Sequence, residues 1–400
     1  MRVAVNGYFA GQPRTGSGQY LRHLWEALSL FSSNAPEDNP GDILTMLLPT
    51  GDTLEEPIPA NPRANIARIS LRTPLNGKND KLDKVAWEQW AMSRAAKQHK
   101  AQLLHSPYLA APLHKTLPTV VTAHDMIPWV VPGYRGSLAT RLYLALSVQG
   151  VKRAEMIIAD SDASRLDVIK VLKVSPGKVH TVYLGVESHP EYSVEEIREV
   201  RARFGLPEHY AFYIGGFDRR KNVPLLLRSW RAAMSRLDGE WCAEQKPVLA
   251  IAGAVPQPGG VFPDVRGEAK MLGLDGTNAP VKFLGRISES DKPRLMAATR
   301  LFVYPSSYEG FGLDPLEAMS VGCPVVSSSG GSLSEVVGEG GILVPPGDEE
   351  ALSQAILRVW TDDTLRADLR IRGKMQATRF TWERTAEQTR KLYALALKKA

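Results

Sequence analysis

Four hundred residues exceed what one ordinary core accommodates and suit two domains of about 200 residues each. At 44% hydrophobic and 23% charged, the chain excludes disordered, collagen-like and coiled-coil classes, and no apolar run approaches the roughly 18 residues of a transmembrane helix. The formal net charge of +6 is segregated: residues 1–186 hold 21 Lys and Arg against 15 Asp and Glu, while residues 187–400 hold 28 of each. A basic first half fits an anionic partner, such as phosphorylated lipid, membrane headgroups or nucleic acid, or simply a soluble basic face.

The chain opens on a short strand (Val3, Ala4, Val5) broken by Asn6 and Gly7, without the charged start and apolar stretch of a secretion signal. A polar loop from Gly7 to Gly18 leads to a helix with Tyr20, Leu21, Leu24, Ala27 and Leu28 at helical spacing. Buried-strand candidates recur at 43–48, 103–105, 119–123 and 156–159, separated by helical stretches that include 84–100 and 138–153. Such alternation predicts a parallel sheet with helices on both faces. After the polar segment 187–209 the pattern restarts, with strands at 211–214, 248–252, 281–284, 301–304 and 324–327 and a helix at 224–235. Residues 380–397 form an amphipathic terminal helix by spacing. Two cysteines, Cys242 and Cys323, are too few for a disulfide framework and suit a reducing cytoplasm. The predicted class is α/β: two Rossmann-like doubly wound domains, 1–187 and 188–400, facing a central cleft, with ligands at the carboxyl ends of the strands.

Four loops and one turn carry chemistry. Glu309 falls in the turn after the 301–304 strand, and Glu317 in the first turns of a helix beginning near Asp314-Pro315, proline being a start signal. Backbone N–H groups of residues 310–313 then face an anion or a sugar hydroxyl, as at helix N-termini. The competing reading is a Glu317 that complements the helix dipole and a solvent-exposed Glu309. Arg219, Arg220 and Lys221 follow the 211–214 strand and fit a diphosphate, or form a solvated charge run. Thr15-Gly16-Ser17-Gly18 lets backbone approach a phosphate before the first helix, or is a tight turn; Leu21 stands where a dinucleotide fingerprint needs its third glycine. His124, ending the 119–123 strand, suits a substrate hydroxyl or a local hydrogen bond. Asp160-Ser161-Asp162 matches an Asp-x-Asp metal signature, yet Asp160 or Ser161 equally makes an N-cap, and Mg²⁺ needs more convergent oxygens. The stretch 129–135 and residues 141–144 put aromatics beside cations, fitting a headgroup interface or internal packing.

Together these elements resemble the retaining glycosyltransferases of family GT4, which have the GT-B fold. Glu309 and Glu317 stand as the family's Glu-x7-Glu, within Tyr-Glu-Gly-Phe-Gly-Leu-Asp-Pro-Leu-Glu-Ala-Met. The likeness continues at 281–287, 322–326, 334–337 and 343–347, and in the first half at Gly16-Ser-Gly-Gln-Tyr20, Trp87-Glu-Gln89, His105-Ser-Pro107, His124-Asp125 and Ala159-Asp-Ser161. Within the family the chain looks most like the mannosyltransferase B-like branch, which builds bacterial surface polysaccharides.

The resemblance implies a nucleotide-sugar donor held by the second domain and a glycan acceptor, such as a polyprenyl-diphosphate-linked oligosaccharide, received by the first. Glu317 would bind ribose hydroxyls, Glu309 the transferred sugar, and the amides of Phe311, Gly312 and Leu313 its hydroxyls and the distal phosphate. Lys221 with Arg220 would neutralise the diphosphate, the Gly16 amide would join them, and His124 would reach the sugar. The base would rest near Gly285 and Arg286. Asp125 and Tyr108 belong to the acceptor side, and Asp125 is the nearest candidate for a covalent nucleophile; without one, front-face substitution is expected. Many relatives carry Arg where Gly216 stands, a departure that leaves the phosphates to Lys221 and its neighbours. Relatives also use the terminal helix, about 381–397, to cross back to the first domain. No cofactor, essential metal or nucleic-acid partner is expected. The expected location is the cytoplasm, with peripheral contact to an anionic membrane surface at the inner face of the plasma membrane. The donor is expected to be GDP-mannose, with a UDP-sugar such as UDP-glucose, or a nucleotide-sugar 2-epimerase on the same fold, as competing readings.

Overall fold

A computed structural model describes residues 1–13, 15–33, 42–50, 65–75, 79–237, 247–276 and 280–400, so Cys242 lies outside the described residues. The chain forms two compact units, Met1–Gly185 with Thr381–Ala400, and Val186–Phe380.

The first unit is a seven-stranded parallel sheet: β1 (Arg2–Asn6), β2 (Ile43–Pro49), β3 (Ile66–Leu71), β4 (Leu103–Ser106), β5 (Thr119–Ala123), β6 (Met156–Ala159) and β7 (Val179–Thr181), in the order β3-β2-β1-β4-β5-β6-β7. Strands β4, β5 and β6 are buried along their whole length, so they lack the alternation of a half-exposed strand, and the few polar side chains they carry, such as His105 and Thr122, are hydrogen-bonded inside. The two outermost strands were not predicted. β3 is a partly exposed edge with Arg68 and Ser70 in it, and β7 has only three residues, one of them His180. The predicted helix at 84–100 is interrupted: Asp80–Ala86 and Met92–Gln98 flank a π turn, Trp87–Ala91. Adjacent residues Trp87 and Glu88 are both buried there, an arrangement for which the wider turn makes room.

The terminal helix, Trp382–Lys399, belongs to this first unit. Tyr393 Oη lies 2.7 Å from Nδ1 of the fully buried His105 on β4, whose Nε2 meets Thr122 Oγ1 at 3.0 Å. Burial lowers the His105 pKa to about 3, so this imidazole is a neutral core hydrogen-bonding group. Arg390 adds a 2.6 Å hydrogen bond to Asp42, which also pairs with the amino terminus at 2.9 Å.

The second unit is a six-stranded parallel sheet: β8 (Tyr210–Ile214), β9 (Val248–Ala252), β10 (Val281–Gly285), β11 (Leu301–Tyr304), β12 (Val325–Ser328) and β13 (Ile342–Val344), ordered β10-β9-β8-β11-β12-β13. Its aromatic core includes Tyr210, Phe212, Phe302 and the edge-to-face pair Trp230–Trp360. The short β13 was missed by the sequence reading.

Each sheet reverses its winding once, between β1 and β4 and between β8 and β11. Loops leaving a switch point diverge to opposite faces and open a crevice at the strands' carboxyl ends. Every loop singled out above follows a strand of one sheet or the other, and those after β8 and β11 flank one switch point.

The His105–Tyr393 contact gives the fold its test. Tyr393→Phe strands a buried imidazole nitrogen and is expected to cost about 1–3 kcal/mol, read as a lower urea midpoint. An unchanged midpoint would mean the terminal helix is held by packing alone.

Candidate functional site

In the second unit the loops after β8 and β11 meet over one carboxylate. Asp218 caps a 3₁₀ turn, Arg219–Lys221, and Asn222 leaves it in the left-handed conformation to start the helix Val223–Met234. The turn sends Arg220 and Lys221 toward Glu309: Arg220 Nη1 is 2.5 Å from Oε2 and Lys221 Nζ is 2.8 Å from Oε1. Ser306 Oγ donates to Oε1 at 2.6 Å, and Arg220 also reaches the Tyr308 carbonyl at 2.8 Å. Glu309 is therefore 8% exposed, which corrects the solvent-exposed reading. Burial alone would raise its pKa, but Lys221 and Arg220 outweigh it and hold the carboxyl down at about 2. Of the three cations, Arg219 is the solvent-facing one.

The Glu309 backbone is fixed just as firmly. Its carbonyl accepts from the Ser332 amide and hydroxyl, both at 3.1 Å, and it forms an isolated parallel bridge with Gly331. Gly331 has φ +64°, and a Cβ there would lie 2.3 Å from the Glu309 carbonyl oxygen. A glycine beyond β12 thus permits the loop after β11, a requirement that no local motif announces.

Glu317 sits on the helix Leu313–Ser320, facing Lys292 from the helix Asp291–Ala298. Lys292 is 9% exposed and also pairs with Asp314 at 3.0 Å. Burial works against its charge, yet Glu317 and Asp314 together hold its pKa above the usual lysine range. One ammonium thus serves two carboxylates. Burial, with Asp314 and Glu289 nearby, raises Glu317 to about 7 against the pull of Lys292. Tyr304 Oη completes the array, 3.1 Å from both Glu309 Oε1 and Asp314 Oδ2, and it accepts from Lys221. Tyr304, Asp314 and Lys292 were absent from the sequence reading as site residues. Asp314 was seen only as part of a helix start, and no spacing rule points to the other two.

At the N-terminus of that helix the N-cap is Gly312, with φ +108°, which has no side chain to cap the first-turn amides. Phe311 is buried, its ring edge-to-face with Phe380 at 5.8 Å, so its backbone is what it offers a ligand. Gly285, with φ +71° at the irregular end of β10, borders open space, and Arg286 beside it is exposed.

In the first unit the helix begins at Gly16 itself, not after Gly18, and Thr15 Oγ1 accepts the Gly18 amide at 3.1 Å. The two glycines differ in kind. A Cβ on Gly18 would lie 2.0 Å from the Gln12 carbonyl, whereas one on Gly16 would meet nothing within 4 Å. Gly18 is thus required by packing, and Gly16 leaves the first turn open. His124 has Nδ1 at 2.7 Å from Asp160 Oδ2 and Nε2 at 2.9 Å from the Pro107 carbonyl. Burial lowers its pKa, but Asp160 reverses this and the net shift is upward. As placed, the ring meets a sugar hydroxyl only by giving up one of these partners. Asp125 Oδ1 accepts the Ile127 amide at 2.9 Å, and Tyr108 Oη accepts from Asn6 Nδ2 at 3.0 Å. The Asp-x-Asp pair diverges: Asp160 orients His124, while Asp162 accepts from Thr181 and Tyr183. Ser161 is the N-cap. In the aromatic-basic stretch, Trp129 packs on the core and Tyr143 hydrogen-bonds Glu88, leaving Leu138 and Leu142 as the exposed apolar side chains.

The sequence profile described as glycosyl transferases group 1 matches residues 208–362, and that described as Glycosyltransferase Family 4 matches residues 45–189. O-antigen chain mannosyltransferase B of Escherichia coli is 33% identical over 395 residues, covering 96% of this chain and 97% of that protein. Sucrose-phosphate synthase of Thermosynechococcus elongatus superposes with a TM-score of 0.74 at 23% identity over 100% of both chains. Anabaena HepE, solved with UDP-glucose, gives 0.68 at 20% identity over 98% of this chain and 99% of that one. Its two parallel-sheet units are those of the GT-B fold, and at one-third identity along nearly the whole length of a named transferase this chain is a glycosyltransferase and belongs to family 4.

Proposed function

We propose that the enzyme transfers mannose from GDP-mannose to a glycan acceptor, a polyprenyl-diphosphate-linked oligosaccharide of surface polysaccharide synthesis, with retention of anomeric configuration and without an essential metal. The observation that carries the reading is the enclosure of Glu309 by Arg220 and Lys221 beside an uncapped helix N-terminus. The similarity to an E. coli O-antigen chain mannosyltransferase supports the choice of sugar.

Cleaving the sugar–nucleotide bond builds negative charge on the diphosphate and positive character on the sugar. Arg220, Lys221 and the amides of Gly312 and Leu313 are fixed donors for that charge, and Gly16 would add its amide. As the diphosphate draws Lys221, Glu309 becomes an acceptor for hydroxyls of the sugar. Glu317 would hold the ribose, with the base near Gly285 and Arg286, and His124 would reach the sugar. In the reaction the anomeric carbon–phosphate oxygen bond breaks and a bond to the acceptor oxygen forms on the same face, the acceptor's proton passing to the departing phosphate. Asp125 already accepts a backbone N–H, which argues against a covalent role for it. A glycosylated peptide containing Asp125, trapped by mass spectrometry, would overturn front-face substitution.

No helix among the described residues is long and apolar enough to cross a membrane. Exposed Leu138 and Leu142 beside Arg135 and Arg141 support a peripheral contact with anionic lipid at the inner face of the plasma membrane. Failure to co-sediment with anionic vesicles at low salt would remove it.

Thermal stabilisation by GDP, UDP, ADP, GDP-mannose and UDP-glucose tests the donor. Stabilisation by the guanosine compounds alone is expected; stabilisation by uridine compounds would transfer the reading to a UDP-sugar, and turnover without acceptor would indicate an epimerase. Chelation by EDTA should leave transfer unchanged. Lys221→Ala is expected to lower kcat by about 10²–10³-fold, and a fall smaller than about 5-fold would remove it from the diphosphate. A carboxylate, not a carboxylic acid, is the better acceptor for two ribose hydroxyls, so donor affinity should rise as pH rises through about 7. Glu317→Gln should bind donor more weakly with no pH dependence in that range. A wild-type affinity that is flat between pH 6 and 8 would contradict this.

A further inference from the structure

At the switch point of the first sheet Tyr108, expected on the acceptor side, belongs to an aromatic cluster whose other members have no role assigned in the transfer. The loop after β1 carries Tyr8 and Phe9, the loop after β4 carries Tyr108, and the helix Leu138–Arg153 contributes Tyr143. Their four rings surround one ammonium: Lys84 Nζ lies 5.5 Å from the centroid of Tyr8, 5.2 Å from Phe9, 5.4 Å from Tyr108 and 5.0 Å from Tyr143. Glu88, 1% exposed and one turn on, sits 3.7 Å from Nζ and accepts the Tyr143 hydroxyl at 2.9 Å.

The cluster is built, not incidental. Asn6 ties three parts of it together, accepting from Trp87 Nε1 at 2.9 Å and the Tyr8 amide at 3.1 Å while donating to Tyr108 Oη at 3.0 Å. Phe9 stands edge-to-face on Tyr108 at 4.8 Å. The π turn buries Trp87 and Glu88 together, and such turns concentrate at functional sites. A Lys–Glu pair in this setting carries a desolvation cost that apolar side chains would avoid, while Tyr8, Phe9 and Tyr143 remain half-buried and Lys84 keeps a quarter of its side chain open to solvent.

We propose that the half-buried rings of Tyr8, Phe9 and Tyr143, backed by the buried Tyr108 and gathered round Lys84 and Glu88 at this switch point, form a platform for a neutral sugar ring of the acceptor. The proposal rests on the glycosyltransferase reading for the use made of that sugar. Aromatic faces match the C–H face of a pyranose, and phenol and ammonium edges match its hydroxyls. Lys84 and Glu88 cancel in charge, so the platform offers a phosphate or diphosphate little that it does not offer a neutral hydroxyl.

The test needs no donor. Saturation-transfer NMR on the full chain with mannotriose, cellotriose and chitotriose measures saccharide binding directly. Phe9→Leu keeps apolar volume and removes the ring, and is expected to weaken binding about ten-fold; Tyr8→Leu gives the second reading. The melting shift produced by GDP or UDP reports that each variant is folded. In transfer assays the same variants should raise the acceptor KM and leave the donor KM alone. Unchanged saccharide binding in both variants, no binding of any of the three sugars by wild type, or displacement of the sugar by inorganic pyrophosphate would each overturn the proposal. If sugar binding is lost in the variants but no donor is ever turned over, the platform stands and the functional reading falls.

Discussion

The second unit is organised around the burial of one negative charge. A carboxylate taken out of water must be paired and hydrogen-bonded or it neutralises, and Glu309 is held as an anion by Arg220 and Lys221. That demand fixes the loop after β8, which supplies the cations, and the loop after β11, which supplies the acid. It also requires the closeness of Gly331 and the hydrogen bonds of Ser306 and Ser332. Through Tyr304 and Asp314 the array runs on to Lys292 and Glu317. The two glutamates of the Glu-x7-Glu pair are thus the ends of one polar network, and changes at either end are coupled.

What could be read in advance follows from how each part is specified. Buried parallel strands such as β6 and β11 show themselves as short apolar runs, and the cations and glutamates follow β8 and β11 closely in the sequence. The edges carry no such signal, β3 because half of its residues face solvent and β7 because it has only three residues, two of them His180 and Thr181. Lys292 was invisible because its meaning comes from a helix twenty-odd positions away. Asp160 was legible only as a metal-signature or capping residue, and its use as the His124 partner was concealed because that contact crosses from β6 to the loop after β5. The π turn follows from two adjacent residues both demanding burial, which periodicity averages away.

The two units apply one topological rule to different chemistry. Each opens a crevice where its sheet reverses, but the second fills it with paired charge and a helix N-terminus, and the first with aromatic rings around a self-neutralised Lys–Glu pair. The positive surplus of the first half therefore does not lie in its switch-point crevice. It is spread over side chains such as Arg135 and Arg141, which are exposed.

The network also bears on when binding energy is released. On the proposed reading a ground-state diphosphate would meet cations whose field is partly cancelled, because Arg220, Lys221 and Lys292 are already matched by Glu309, Asp314 and Glu317. The attraction of these cations would grow as the sugar–phosphate bond breaks and charge accumulates on the leaving group, drawing Lys221 toward it. An interaction that strengthens toward the transition state accelerates the reaction, whereas one already complete in the bound substrate does not. Glu309 would thus keep Arg220 and Lys221 oriented while limiting how tightly they hold either donor or released nucleotide. Removing its charge would tighten nucleotide binding and slow transfer, opposite signs that a simple sugar-contact role for Glu309 would not produce.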